Sequence, residues 1–204
     1  MIRALVPVTF LILVYAAPAF SERRVVREEN GITVEEESAP GRMLPILTGT
    51  TTMAAEVERI SAWIGATHTF VDWQHNCEEA RQIRRDGNVV VGYNRIGPPG
   101  PVADRDVVLR STRTELEGGG IRIEFHSTNE EDVPVARGAV RMRRLAGSYD
   151  LRPVEGGARV VYTVDLDRGG SLPAWLVRQV GKRLPYHTLE NLRERAEAGP
   201  PPED

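Results

Sequence analysis

Cysteine is almost missing from this sequence. Cys77 is the only one in 204 residues, which excludes an internal disulfide framework and any multi-cysteine zinc site. Stability must therefore come from burying an apolar core, and Cys77 suits that core as a small hydrophobe. Lysine is as scarce: Lys182 stands alone among 26 basic residues, a compositional bias of little consequence, since exposed Arg serves solubility as well. A block of basic charge is also lacking, and the formal net charge is −3. That excludes a nucleic-acid protein, which must neutralise several phosphates with clustered cations. What is present is apolar material, 41% of the chain, too much for wholesale disorder. The length fits one domain.

The longest apolar run comes first. Arg3 forms a positive n-region, residues 4–15 an apolar stretch, and Ala17-Pro18-Ala19 supplies the small residues that a signal peptidase reads. Residues 1–19 therefore read as a secretory signal cut after Ala19. A membrane span needs about 20 apolar residues, and Pro7, Thr9 and Pro18 interrupt this run. The expectation is a periplasmic or secreted protein, with a folded domain over 20–198 and a disordered tail over 199–204.

In the mature chain, β-branched runs flank Asn30-Gly31, which predicts a hairpin over 23–37. Residues 43–52 read as extended, and Val57, Ile60 and Ile64 at helical spacing predict a short helix over 53–66. Asp86-Gly87 joins two further strands, 78–84 and 88–96. The proline-rich stretch 96–101 cannot continue a ladder and reads as a stiff loop. Strands resume over 104–117, 120–127, 140–153 and 159–166. Ser171 and Pro173 then open a long helix over 172–196, with Leu172, Leu176, Val180, Leu184 and Thr188 on one stripe. Gly181 and Pro185 predict a bend in it.

At this point the residues resemble the START family of lipid-transfer domains. Gly31-Ile32-Thr33-Val34 is similar to the family's early strand, and Phe70-Val71-Asp72-Trp73 to its short helix ending in a Trp turn. Pro101-Val102-Ala103-Asp104-Arg105-Asp106 is similar to its Pro-Val-Ser-Asp-Arg-Asp signature. Gly169 to Pro173, with Thr188-Leu189 and Leu192-Arg193, resembles the closing helix. The resemblance spans residues 22–197 and implies an α+β helix-grip fold. In that fold a curved antiparallel sheet of eight or nine strands wraps a long C-terminal helix around an interior cavity. It further implies a lipid or other large apolar molecule as the partner and no required cofactor. Transient membrane contact and a monomer are the accompanying expectations.

Strand alternation places Val107, Leu109 and Ser111 on one face, and likewise Ile121, Ile123 and Phe125 opposite Arg122, Glu124 and His126. The expected cavity wall is Tyr93, Val107, Leu109, Ser111, Ile123, Phe125, Met142, Tyr162 and Val164, roofed by Leu176, Val180 and Leu184. Periodicity alone fits a solid core equally well. Arg105 between Asp104 and Asp106 reads as a structural pin, its guanidinium held by those carboxylates or by Glu115. His68, Asp72, His75 and Cys77 match no metal-ligand spacing, so no metal is expected. Nothing orients Cys77 as a nucleophile, and no catalytic residue is expected. Three function classes stay open. They are a lipid carrier, a polyketide cyclase-like enzyme using Tyr93, Ser111 or Tyr162, and an envelope interaction module presenting Arg141, Arg143 and Arg144.

Overall fold

The computed structural model describes residues 22–38, 44–98, 100, 102–167 and 174–203, with side chains except at 22 and 174–182. The expected signal sequence and the Ser171-Pro173 helix start lie outside the described residues, as do the side chains of Leu176 and Val180.

Strands β1 (Glu22–Glu29) and β2 (Ile32–Ser38) form the expected hairpin. Asn30 and Gly31 at its tip have φ of 50° and 70°, the two positive values that a tight two-residue turn requires. β3 (Ile46–Met53) runs one residue into the expected helix, because Met53 still pairs with Ala158. Helix α1 (Val57–Gly65) buries Val57, Ile60 and Ile64, the spacing that predicts it. A single 3-10 turn (Thr67–Thr69) leads into the four-residue helix α2 (Phe70–Trp73). β4 (Cys77–Asp86) and β5 (Val89–Ile96) then pair antiparallel.

β6 (Arg105–Leu116) and β7 (Gly120–Ser127) follow. The strand expected over 140–153 is two, β8 (Val140–Arg141) and β9 (Arg144–Val154). The chain changes partner between them: Met142 N donates to the Asp106 carbonyl at 2.9 Å, and Arg143 N donates to that of Asp167 at 3.1 Å. β8 therefore lies parallel to β6, whereas β9 joins β10 (Gly157–Asp167) and β7 antiparallel. The sheet order is β1-β2-β3-β10-β9-β7-β6-β5-β4, with β8 beside β6.

Helix α3 (Ala174–Ala198) packs on β2 and β3 and carries Pro185 within it. Gly49 on β3 permits the approach, since a Cβ there would stand 2.6 Å from Leu189 Cδ1 and 3.0 Å from Pro185 Cβ. Polar ties hold the helix from both ends of its described surface. The Tyr186 hydroxyl accepts from Asn30 Nδ2 at 2.9 Å and donates to Glu190 at 2.8 Å, and Arg193 donates to the Asn30 carbonyl at 2.8 Å. Trp63 Nε1 donates to the Gly199 carbonyl at 2.8 Å, so the expected tail begins at an anchored residue.

Candidate functional site

The inner face of the sheet follows from cross-strand register, because directly paired residues share a face. Ser111 pairs with Phe125, Ile123 with Tyr149, and Tyr149 with Tyr162. These residues look toward α1, α2 and α3, and between them lies a pocket of about 710 Å³, its opening included. The strands contribute Asn94, Ile96, Leu109, Ser111, Ile123, Phe125, Leu145, Tyr149, Tyr162, Val164 and Leu166. Ile64, Phe70, Gln74, His75, Met142, Leu184 and Thr188 complete the described lining. Eight of the expected wall residues are among these: Leu109, Ser111, Ile123, Phe125, Met142, Tyr162, Val164 and Leu184.

Val107 has the expected inward direction but is packed into the core, fully buried, and does not line the pocket. Tyr93 is a correction. It packs with Val91 and Val108 in a second small core against Ile83, Val133 and Ala136, on the outer side of the sheet. Both faces of β5 are buried, so alternation cannot say which is inner, and the inward position belongs to Asn94. The other ten lining residues, Ile64, Phe70, Asn94, Tyr149 and Leu166 among them, are not in the expected wall. Tyr149 was within reach, since Leu145, Tyr149 and Leu151 share one parity along β9.

Aromatic rings form the floor. Tyr149 and Tyr162 stack at 4.4 Å with planes 9° apart, Phe125 lies 6.0 Å from Tyr149, and Trp73 meets Tyr149 edge-on at 6.5 Å. Trp73 is fixed in turn, its Nε1 donating to Thr69 Oγ1 at 3.2 Å and its carbonyl accepting from Asn191 Nδ2 at 3.0 Å. Burial pushes the Tyr149 hydroxyl well above the ordinary tyrosine value, and Tyr162 adds to the rise. At the α3 side, His75 stacks on His187 at 5.0 Å, and His187 Nδ1 lies 3.1 Å from Glu190. Cys77 is buried and its thiol is pushed up to about 11, chiefly by loss of solvent. That makes it an inert core residue.

The acidic partners of Arg105 are also corrected. Adjacent strand residues point to opposite faces, so Asp104 and Asp106, on either side of Arg105, both turn away from it. Asp104 pairs with Arg95 at 2.7 Å, Glu115 with Arg113 at 3.0 Å, and Asp106 with Arg141 at 2.8 Å. Arg105 is 4% exposed, donates to the Ala103 carbonyl, and its Nε has no hydrogen-bond partner among the described residues. The pin is Asp106. It is fully buried on the outer side, where it accepts both Nε and Nη2 of Arg141, the Ala136 N–H at 2.9 Å and the Tyr93 hydroxyl at 3.5 Å. Arg141 is thus held against buried Asp106, which removes one member of the expected basic face, while Arg144 stays half exposed in its pair with Asp165.

Comparison with known proteins places this geometry. A family model described as START domain matches residues 54–197. An uncharacterised protein of Pseudomonas aeruginosa is 31% identical over 175 residues, covering 85% of this chain and 86% of that one. The STAR-related lipid transfer protein of Xanthomonas axonopodis superposes with a TM-score of 0.80 at 24% identity, over 85% of this chain and 98% of its own. Human StAR-related lipid transfer protein 5 does so at 0.77 and 18%, over 86% of each chain. The Zhui aromatase/cyclase of Streptomyces sp. R1128 shares the fold more distantly, with a TM-score of 0.53 at 13% identity over 74% of this chain and 93% of that one. The matched segment runs from just after β3 through both short helices and strands β4 to β10 to the last turn of α3, and this chain belongs to the START domain family.

Proposed function

We propose that this protein is an exported carrier that binds a lipid or another large apolar molecule in the pocket between the sheet and α3. One observation carries the reading: the described lining of the pocket holds no Lys, Arg, Asp or Glu. Its polar groups are uncharged side chains and one histidine, which suits an apolar body fixed by a few hydrogen bonds. The lipid-transfer proteins of the same fold support the ligand class, and the Arg3 to Ala19 pattern supports export to the periplasm or beyond. Working as a monomer with transient membrane contact belongs to the same proposal. Cyclase-like chemistry has less support, because the aromatase/cyclase matches far more distantly than the lipid-transfer proteins and burial moves the Tyr149 hydroxyl away from neutrality.

Native mass spectrometry of the protein purified from its own host, followed by lipid extraction, tests both parts at once. The expected mass is that of the chain cut after Ala19 plus one stoichiometric apolar ligand. A clean apo mass after incubation with membrane lipids would refute the carrier reading, and an uncut chain would refute the export signal.

A further inference from the structure

A second lobe adjoins the main pocket, and that lobe is charged. Six residues line both: Ile64, Phe70, Asn94, Leu109, Ser111 and Ile123. Beyond them the second lobe runs between the C-terminal end of α1 and the β4–β5 hairpin, and its rim carries Ser61, Gly65, Asn88, Arg85 and Arg113. Ser61, Gly65, Arg85 and Arg113 also line an outer hollow that opens to solvent. The two guanidinium groups thus stand between the space that adjoins the main pocket and the solvent-facing hollow.

Both arginines are placed there by the sheet. Arg113 follows Leu109 and Ser111 at strand period 2 on the inner face of β6, and Arg85 pairs with Val90, whose other partner is Ser111. Neither is committed to a buried counter-charge. Arg113 donates to Ser61 Oγ at 3.2 Å and to Glu115, whose side chain is 78% exposed. Arg85 donates to the Gly65 carbonyl at 2.8 Å and to Gln82 at 3.1 Å, both neutral. An exposed bridge such as Arg113 to Glu115 contributes little in water, so an anion that bridges both guanidiniums can displace it. Glu58 lines only the outer hollow, and the second lobe has no acidic residue in its described lining.

We propose that Arg85 and Arg113 form a head-group site for an anionic amphiphile, whose carboxylate or phosphate sits at this rim while its apolar body lies over Leu109 and Phe125. The inference rests on the carrier reading and narrows its ligand class. It is tested by titrating the purified, delipidated protein with oleate, with oleyl alcohol and with acetate, using calorimetry. Oleate binds at least about tenfold more tightly than the alcohol, the increment of one charged hydrogen bond. Arg85→Gln and Arg113→Gln each weaken oleate about tenfold and leave the alcohol unchanged, with circular dichroism confirming the fold. Arg85 sits at the exposed end of a hairpin, so its variant keeps the test open should Arg113→Gln unfold. Equal affinity for oleate and the alcohol, or arginine variants without effect on oleate, overturns the head-group site while leaving the apolar pocket standing. Binding of neither amphiphile overturns both readings. Acetate competing with oleate at comparable concentration assigns the site to a free anion and overturns the amphiphile.

Discussion

Asp106 shows how a single carboxylate can organise a segment that has almost no regular structure. Residues 128–139 contain no strand or helix, yet Val133 and Ala136 cover Val91, Tyr93 and Val108. Burial alone would raise the Asp106 carboxyl, but the Arg141 hydrogen bonds and charge and the Ala136 N–H outweigh it and hold it below the usual range. A depressed folded-state value adds stability that is complete above the unfolded carboxyl range, near about 3.9. That stability is lost as pH falls through the folded value. Asp106→Asn strands Arg141 and is expected to cost about 3 kcal/mol at pH 7, measured by urea denaturation. The gap between variant and parent should narrow below about pH 3.9; a gap of constant size would show that ionisation of Asp106 plays no part. The Asp104-Arg105-Asp106 triplet stood out in the sequence, but its partners did not. They come from residues up to 35 positions away, and no local pattern encodes that.

Elements were legible where one face is wet. β7 alternates buried and exposed residues, so Ile123 and Phe125 read correctly as inward, and the Asn30-Gly31 and Asp86-Gly87 hairpins follow from turn chemistry. β5 was not, because it is covered on both sides, and neither was the break between β8 and β9, which depends on a change of partner strand. The seat of α3 has a different origin: a missing side chain. Leu189 is fully buried and cannot swing away from a Cβ placed 2.6 Å from it. Gly49→Ala is therefore expected to destabilise by about 1–3 kcal/mol through overpacking. Combining it with Leu189→Ala should cost less than the sum of the two single changes, because the second makes room for the first. Strict additivity in denaturant titrations would place the contact elsewhere.

At the scale of the molecule, the sheet has two covered sides with different contents. The outer patch under residues 128–139 is a filled apolar cluster pinned by ions, whereas the inner side leaves a pocket beneath three helices. Composition could not separate a solid core from a pocket, since the same alternating residues build both; α1, α2 and α3 hold the interior open at a spacing that only the tertiary fold sets. The difference between the sides is testable with three substitutions. Leu109 is half-buried and lines both lobes, so Leu109→Arg projects a cation into the shared space and is expected to abolish lipid retention. Tyr93→Phe removes a hydroxyl on the far side of the sheet and should leave retention unchanged, as should Arg122→Ala, whose guanidinium only bridges Asp150 at 2.6 Å outside. Lipid extracted per mole of folded protein is the measurement, with circular dichroism to set aside variants that unfold, since an unpaired buried charge carries that risk. Loss of lipid from Tyr93→Phe to the same degree as from Leu109→Arg would mean that the ligand does not lie on the inner face at all.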